Sequence, residues 1–155
     1  HADAHPQHQW LHQLVGPWTY TMLSGHGITP GEAAGSGTEV VRSIGGLWVV
    51  ADGQATMPGM GPYTTVAILG FNPATGRFVG TYIASFMTHL WLYDGALDDA
   101  GRRLNLGSDG PSAFATGRQP SGSPWPGPVL VWSRRTSPAA TSAVAGQVRR
   151  LRLEP

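Results

Sequence analysis

Apolar positions along this chain recur with two different periods. Trp10, Leu11, Leu14 and Val15 fall on one stripe of a helix. Pro6 suits the first turn of that helix, and Gly16-Pro17 ends it. From Trp18 onward the period shortens toward alternation. Short runs rich in Val, Ile, Thr and aromatic residues stand between turn residues, as β-strands do. The pattern predicts strands over 18–22, 37–43, 47–57, 63–71, 77–85, 88–97 and 102–108. Gly53 predicts a bulge or bend inside the third of these. Asn72-Pro73-Ala74-Thr75-Gly76 and Asp98-Asp99-Ala100-Gly101 predict hairpin loops. In the first, Pro fixes φ and Gly accepts a positive one. Strands at such even spacing form a meander, and a long meander removes its free edges by closing into a barrel. The expected architecture is one all-β domain over residues 1–155, an antiparallel β-barrel with a short N-terminal helix within residues 1–16.

Composition narrows the partners. A chain of 155 residues buries about 70% of its unfolded surface, enough for one real core. Only 12% of residues are charged and the net charge is +1, which argues against nucleic acid. No apolar run reaches the roughly 20 residues of a membrane span. There is no cysteine, so neither disulfides nor thiol chemistry enter and the compartment stays open. The chain starts at His1, as it would after trimming or tagging, or after removal of a signal peptide. A soluble protein, cytoplasmic or exported, is expected.

Residues 111–155 differ from the rest. Glu154 is their only acid, against Arg118, Arg134, Arg135, Arg149, Arg150 and Arg152. Val129 to Trp132 and Val144 to Leu153 still read as strands, with weak alternation.

The ordered motifs of the first two-thirds resemble a known family. They run His8-Gln9-Trp10-Leu11, Leu14-Val15-Gly16-x-Trp18, Arg42-Ser43-Ile44-Gly45-Gly46-Leu47-Trp48 and Met57-Pro58-Gly59-Met60. They continue with Leu69-Gly70-Phe71-Asn72-Pro73, Gly76-Arg77-Phe78-Val79-Gly80, Met87-Thr88 and Tyr93-Asp94-Gly95. Together, over residues 8–111, they resemble the bacterial domain of unknown function 1579 family. The resemblance implies a lipocalin-like (calycin-type) barrel of the ten-stranded type around a cavity, with Gly16-x-Trp18 as its opening signature. It implies no activity. Asp94 stands where members usually carry Glu. Members also end in charged, aromatic, alternating strands, and this tail does not. Its composition is that of a GC-rich gene read out of frame from near Gly117, which translation in the other two frames would test. On that reading the last strands are accidental sequence, or the barrel closes by homodimerisation.

Candidate chemistry concentrates in few places. His5, His8 and His12 share one helix face, a spacing that can hold a divalent metal, although no carboxylate but Asp3 is near. The alternative is a polar outer face, and no metal site is assigned. His89 lies in Thr88-His89-Leu90-Trp91-Leu92-Tyr93-Asp94, where alternation puts His89, Trp91 and Tyr93 on one face and Leu90, Leu92 and Asp94 on the other. An inward His89 is titratable in an apolar cavity and the only mid-barrel axial candidate for haem. An inward Glu39 or Asp94 would be a desolvated carboxylate suited to acid–base work. Met57 to Tyr63 forms a loop of soft apolar groups that could gate a barrel mouth. No nucleophile elbow, phosphate loop or HExxH motif occurs.

Three functional readings follow. The leading one is a small-molecule-binding barrel. Its apolar or aromatic ligand would contact Trp48, Met57, Met60, Tyr82, Met87, His89 and Trp91. No cofactor is required, with haem or a divalent metal as the alternatives. The second is a small hydrolase, for glycosides or esters, using His89, Asp94 and Glu39 as acid and base. The third is a structural barrel acting as a dimer.

Overall fold

The computed structural model describes residues 3–23, 33–57, 59–108, 129–133 and 147–152. Helix α1 spans Pro6–Leu11 and tightens into a 3-10 turn over His12–Leu14. Nine strands follow among the described residues: β1 Gly16–Leu23, β2 Ala33–Ile44, β3 Trp48–Met57, β4 Gly61–Asn72, β5 Arg77–Ala84, β6 Trp91–Leu97, β7 Arg103–Gly107, β8 Val129–Ser133 and β9 Gln147–Arg152. They pair in sequence order and the last returns to the first, closing the barrel at Trp18 opposite Arg152. Strands β1 to β7 form a curled antiparallel wall. β8 runs parallel to β9. This confirms the all-β barrel with its short helix. Nine strands, not the ten implied by the resemblance, lie within the described residues. The region around Gly117 lies outside them.

Both hairpin loops form as their residues require. At the β4–β5 turn the Asn72 carbonyl accepts from Thr75 and Gly76, and its side chain accepts from Ala74. Gly76 takes φ 67°, which L side chains avoid. At the β6–β7 turn the Asp98 carboxylate accepts from the backbone N–H groups of Arg102 (2.7 Å) and Arg103 (3.1 Å). Those two bonds hold its pKa below the usual carboxylate value.

Two sequence expectations fail on backbone geometry. Gly53 makes no bulge, because β3 keeps one register against both neighbours. It sits between Glu39 and Thr65, and a Cβ there would come 2.5 Å from Thr65 Oγ1. Gly53 therefore serves close approach. The sixth strand begins at Trp91, not Thr88, since pairing with β5 ends at Tyr82 opposite Trp91.

Alternation sends one side of strands β1 to β7 inward. Trp18, Val41, Val49, Ala51, Ala67, Leu69, Phe71, Phe78, Trp91, Tyr93, Leu104 and Leu106 form the main core, together with Leu11 and Leu14 of the helical segment. Tyr20, Ala55, Tyr63 and Ala84 form a second cluster, flanked by Met57, Tyr82, Phe86 and Met87.

The helical segment is pinned by side-chain hydrogen bonds. Trp10 Nε1 donates to the Gly101 carbonyl (2.8 Å) and Trp18 Nε1 to the Leu14 carbonyl (2.6 Å). The second bond explains the Gly16-x-Trp18 motif: the indole closes the joint between helix and first strand. His8 is buried on the inward face of the helix. Its Nδ1 accepts from the His5 N–H (2.8 Å), so Nε2 carries the proton and donates to the Phe71 carbonyl (3.0 Å). His5 stacks on the Phe71 ring with centroids 4.8 Å apart.

Candidate functional site

A cleft of about 270 Å³ opens where β5 ends. It is lined by Thr64, Thr65 and Val66 of β4, Ile83 and Ala84 of β5, and Ser85, Met87, Thr88, His89 and Leu90 of the segment leading to β6. The local sequence explains the opening. β5 pairs with β6 only as far as Tyr82, and the chain then turns away, with Met87 N–H donating to the Ala84 carbonyl. Ser85 still holds to β4. Its N–H donates to the Thr64 carbonyl (2.9 Å), and its Oγ accepts from the Thr64 N–H (3.2 Å).

The lining spans a range of depths. Thr65 and Ala84 are buried and Met87 is half-buried, whereas Thr64, Ser85, Thr88 and Leu90 are exposed. His89 is half-buried at the rim, edge-to-face with Trp91 at 4.9 Å. Trp91 Nε1 donates to Met87 Sδ (3.2 Å), so the indole fixes the thioether. Beneath the cleft, Tyr63 meets Phe86 edge-to-face at 4.8 Å. Burial and the neighbouring Tyr20 push the Tyr63 phenol up to about 12.

The residues singled out from sequence fall in four places. Met87 and His89 line the cleft. Met57, Tyr82 and Trp91 pack in the clusters around it. Met60 is exposed in the turn between β3 and β4. Trp48 stands apart: it lies opposite Gly70 on an outer face, 42% exposed, with its ring where a Cβ on Gly70 would be. The alternation around His89 places Trp91 and Tyr93 inside and Leu92 and Asp94 outside. His89 itself precedes the strand.

The three acid–base candidates are not gathered. Glu39 is 3% exposed and faces inward beside Trp18 and Gly53. Asp94 faces outward and takes both Nε and Nη2 of Arg77, an exposed ion pair. The helix histidines are committed to structure: His5 to a cap, His8 to Phe71, and His12 Nε2 to the Gly46 carbonyl (3.1 Å). No group of three His, Cys, Asp or Glu able to hold a metal occurs among the described residues. No helix there is long and apolar enough to cross a membrane.

Sequence reasoning missed Thr64, Thr65, Val66, Ile83, Ala84, Ser85, Thr88 and Leu90. The available signal was Ser85. A hydroxyl residue at the end of an apolar strand, followed by Phe86-Met87 out of phase, marks a break where the alternation was run straight through.

No curated protein matches the chain in sequence. The family model described as "Protein of unknown function (DUF1579)" matches residues 3–121. That match takes in the helix, β1 to β7 and every residue lining the cleft. With the motifs seated on the capped barrel as described, the chain belongs to the DUF1579 family.

Proposed function

We propose that this barrel binds a small apolar or aromatic molecule. The observation that carries the proposal is the cleft between β4, β5 and the Ser85–Leu90 segment. Its wall combines aliphatic groups with a few neutral hydroxyls, the mixture that buries ligand surface while fixing orientation. Met87 lends adaptable, polarizable surface to its lining. Native mass spectrometry of freshly purified protein tests the idea first, since a co-purified molecule would be seen directly. N-phenyl-1-naphthylamine, a neutral fluorescent reporter, tests the location. Its binding should weaken about tenfold on Ile83→Asp or Leu90→Asp, because a charge strips away apolar contact worth about 1.4 kcal/mol. Both side chains are roughly half-exposed, so both variants should stay folded. No co-purified molecule, together with reporter binding indifferent to both variants, would refute it.

A second reading is hydrolysis by acid–base catalysis, and the buried Glu39 carboxylate favours it. It requires a bell-shaped pH–rate profile on a glycoside or ester that collapses in Glu39→Gln. Activity that survives this change would sink it.

A further inference from the structure

The segment from Ser85 to Leu90 brings hydrogen-bond donors to the cleft. Ser85 Oγ already accepts from the Thr64 N–H, so its own proton is left to donate outward. Thr88 adds a second hydroxyl and His89 an imidazole, both in the lining. Among the described residues no Asp, Glu, Lys or Arg lines the cleft, and His89 is the one ionisable group there. Of the deeper lining, Ala84 and Met87 have no strong hydrogen-bonding side chain, and Thr65 adds one hydroxyl. Among the described residues, two acids stand near the lining by register: Asp52, opposite Val66 and held by Arg42 at 3.5 Å, and the buried Glu39, across Gly53 from Thr65.

We infer that the ligand is a small amphipathic acid, its carboxylate at the rim on Ser85, Thr88 and His89 and its apolar body running in toward Ala84 and Met87. This rests on the cleft being the binding site. A cluster of donors without a competing carboxylate selects an acceptor-rich head, and charge-assisted hydrogen bonds are about twice as strong as neutral ones. Size follows from volume. At about 30 Å³ per water-sized group, 270 Å³ holds roughly nine such groups, so the body is one ring or a short chain.

The test compares 3-phenylpropanoate with 3-phenylpropanamide and 3-phenylpropylamine, which share the body and differ in the head. Binding is read from the Trp91 indole N–H signal by NMR titration. The acid should bind about tenfold more tightly than either analogue, a difference of about 1.4 kcal/mol. Ser85→Ala with His89→Gln should bring the acid down to the level that the amide shows on the unaltered protein. If amide or amine binds as well as acid, the head-group assignment is wrong and the apolar cleft survives. If none of the three shifts the indole signal, both this inference and the binding site beneath it fall.

Discussion

Replacing His8 by Ala removes two hydrogen bonds from one buried ring. The Phe71 carbonyl loses its donor, and the His5 N–H at the start of the helix loses its acceptor. A buried carbonyl left unsatisfied costs about 1–3 kcal/mol. The His8 arm of the capping box is lost while the His5 cap on Gln7 stays, which costs about 0.5 kcal/mol, the low end for caps. The ring also packs edge-to-face on Phe71 with centroids at 5.8 Å, and its removal leaves a gap. Together these give a destabilisation of about 2–4 kcal/mol. For a chain of this length each kcal/mol lowers Tm by about 2–4 °C, so a drop on the order of 10 °C is expected. Urea unfolding followed by circular dichroism measures it, and a constant slope would show that only the stability changed. His12→Ala is the control, because that side chain is exposed and holds one carbonyl. A His8→Ala loss below about 0.5 kcal/mol, or one equal to that of His12→Ala, would refute the role assigned to the buried ring.

Three further outcomes follow from the same geometry. Gly95→Ala should cost about 2–3 kcal/mol, because a methyl there overlaps the Asn105 carbonyl of the paired strand and backbone cannot step aside. Gly107→Ala, on the same strand pair with open space around it, should be near neutral, and equal Tm shifts for the two would contradict this. The raised Tyr63 pKa means that stability is intact below pH 10 and is lost as pH rises toward about 12, since the unfolded phenol ionises first. Tyr63→Phe should flatten that alkaline decline, as read by unfolding at stepped pH. The Asp98 carboxylate, held below 3.8, should keep the β6–β7 turn ordered above that value and release it as pH falls further. Amide exchange at Arg102 and Arg103 would register the release, and Asp98→Asn should remove its pH dependence.

The fold was legible because its signals are local. Pro6 with the Trp10–Val15 stripe marked the helix, and the Asn72–Gly76 and Asp98–Gly101 turns set the register of their hairpins. The polar lining was not legible, because it depends on where β5 stops pairing, and strand ends are decided by neighbours across the sheet. His89 was noticed for its chemistry but given the wrong setting: its ring meets Trp91, yet the strand starts after it. Trp48 looked like a ligand contact on composition alone. Its outward position follows from parity with Val49 and Ala51, which the interior claims. The role of His8 needed the tertiary contact with Phe71, sixty-three positions away.

The pairing of β1 with β9 has a kinetic meaning. The other joints of the β1 to β7 wall are made by near neighbours in sequence, such as Asn72 with Arg77. The closing joint brings Trp18 to Arg152. Loop-closure entropy makes that joint about 3 kcal/mol dearer than the tight hairpin. Hairpins should therefore accumulate first and the ring should shut late, as in slow folders of high contact order. During synthesis β1 is among the earliest strands to emerge, and it waits longest for its second partner. A chain cut short before β9 would carry that edge open, with its row of unpaired amides and carbonyls ready to recruit another strand.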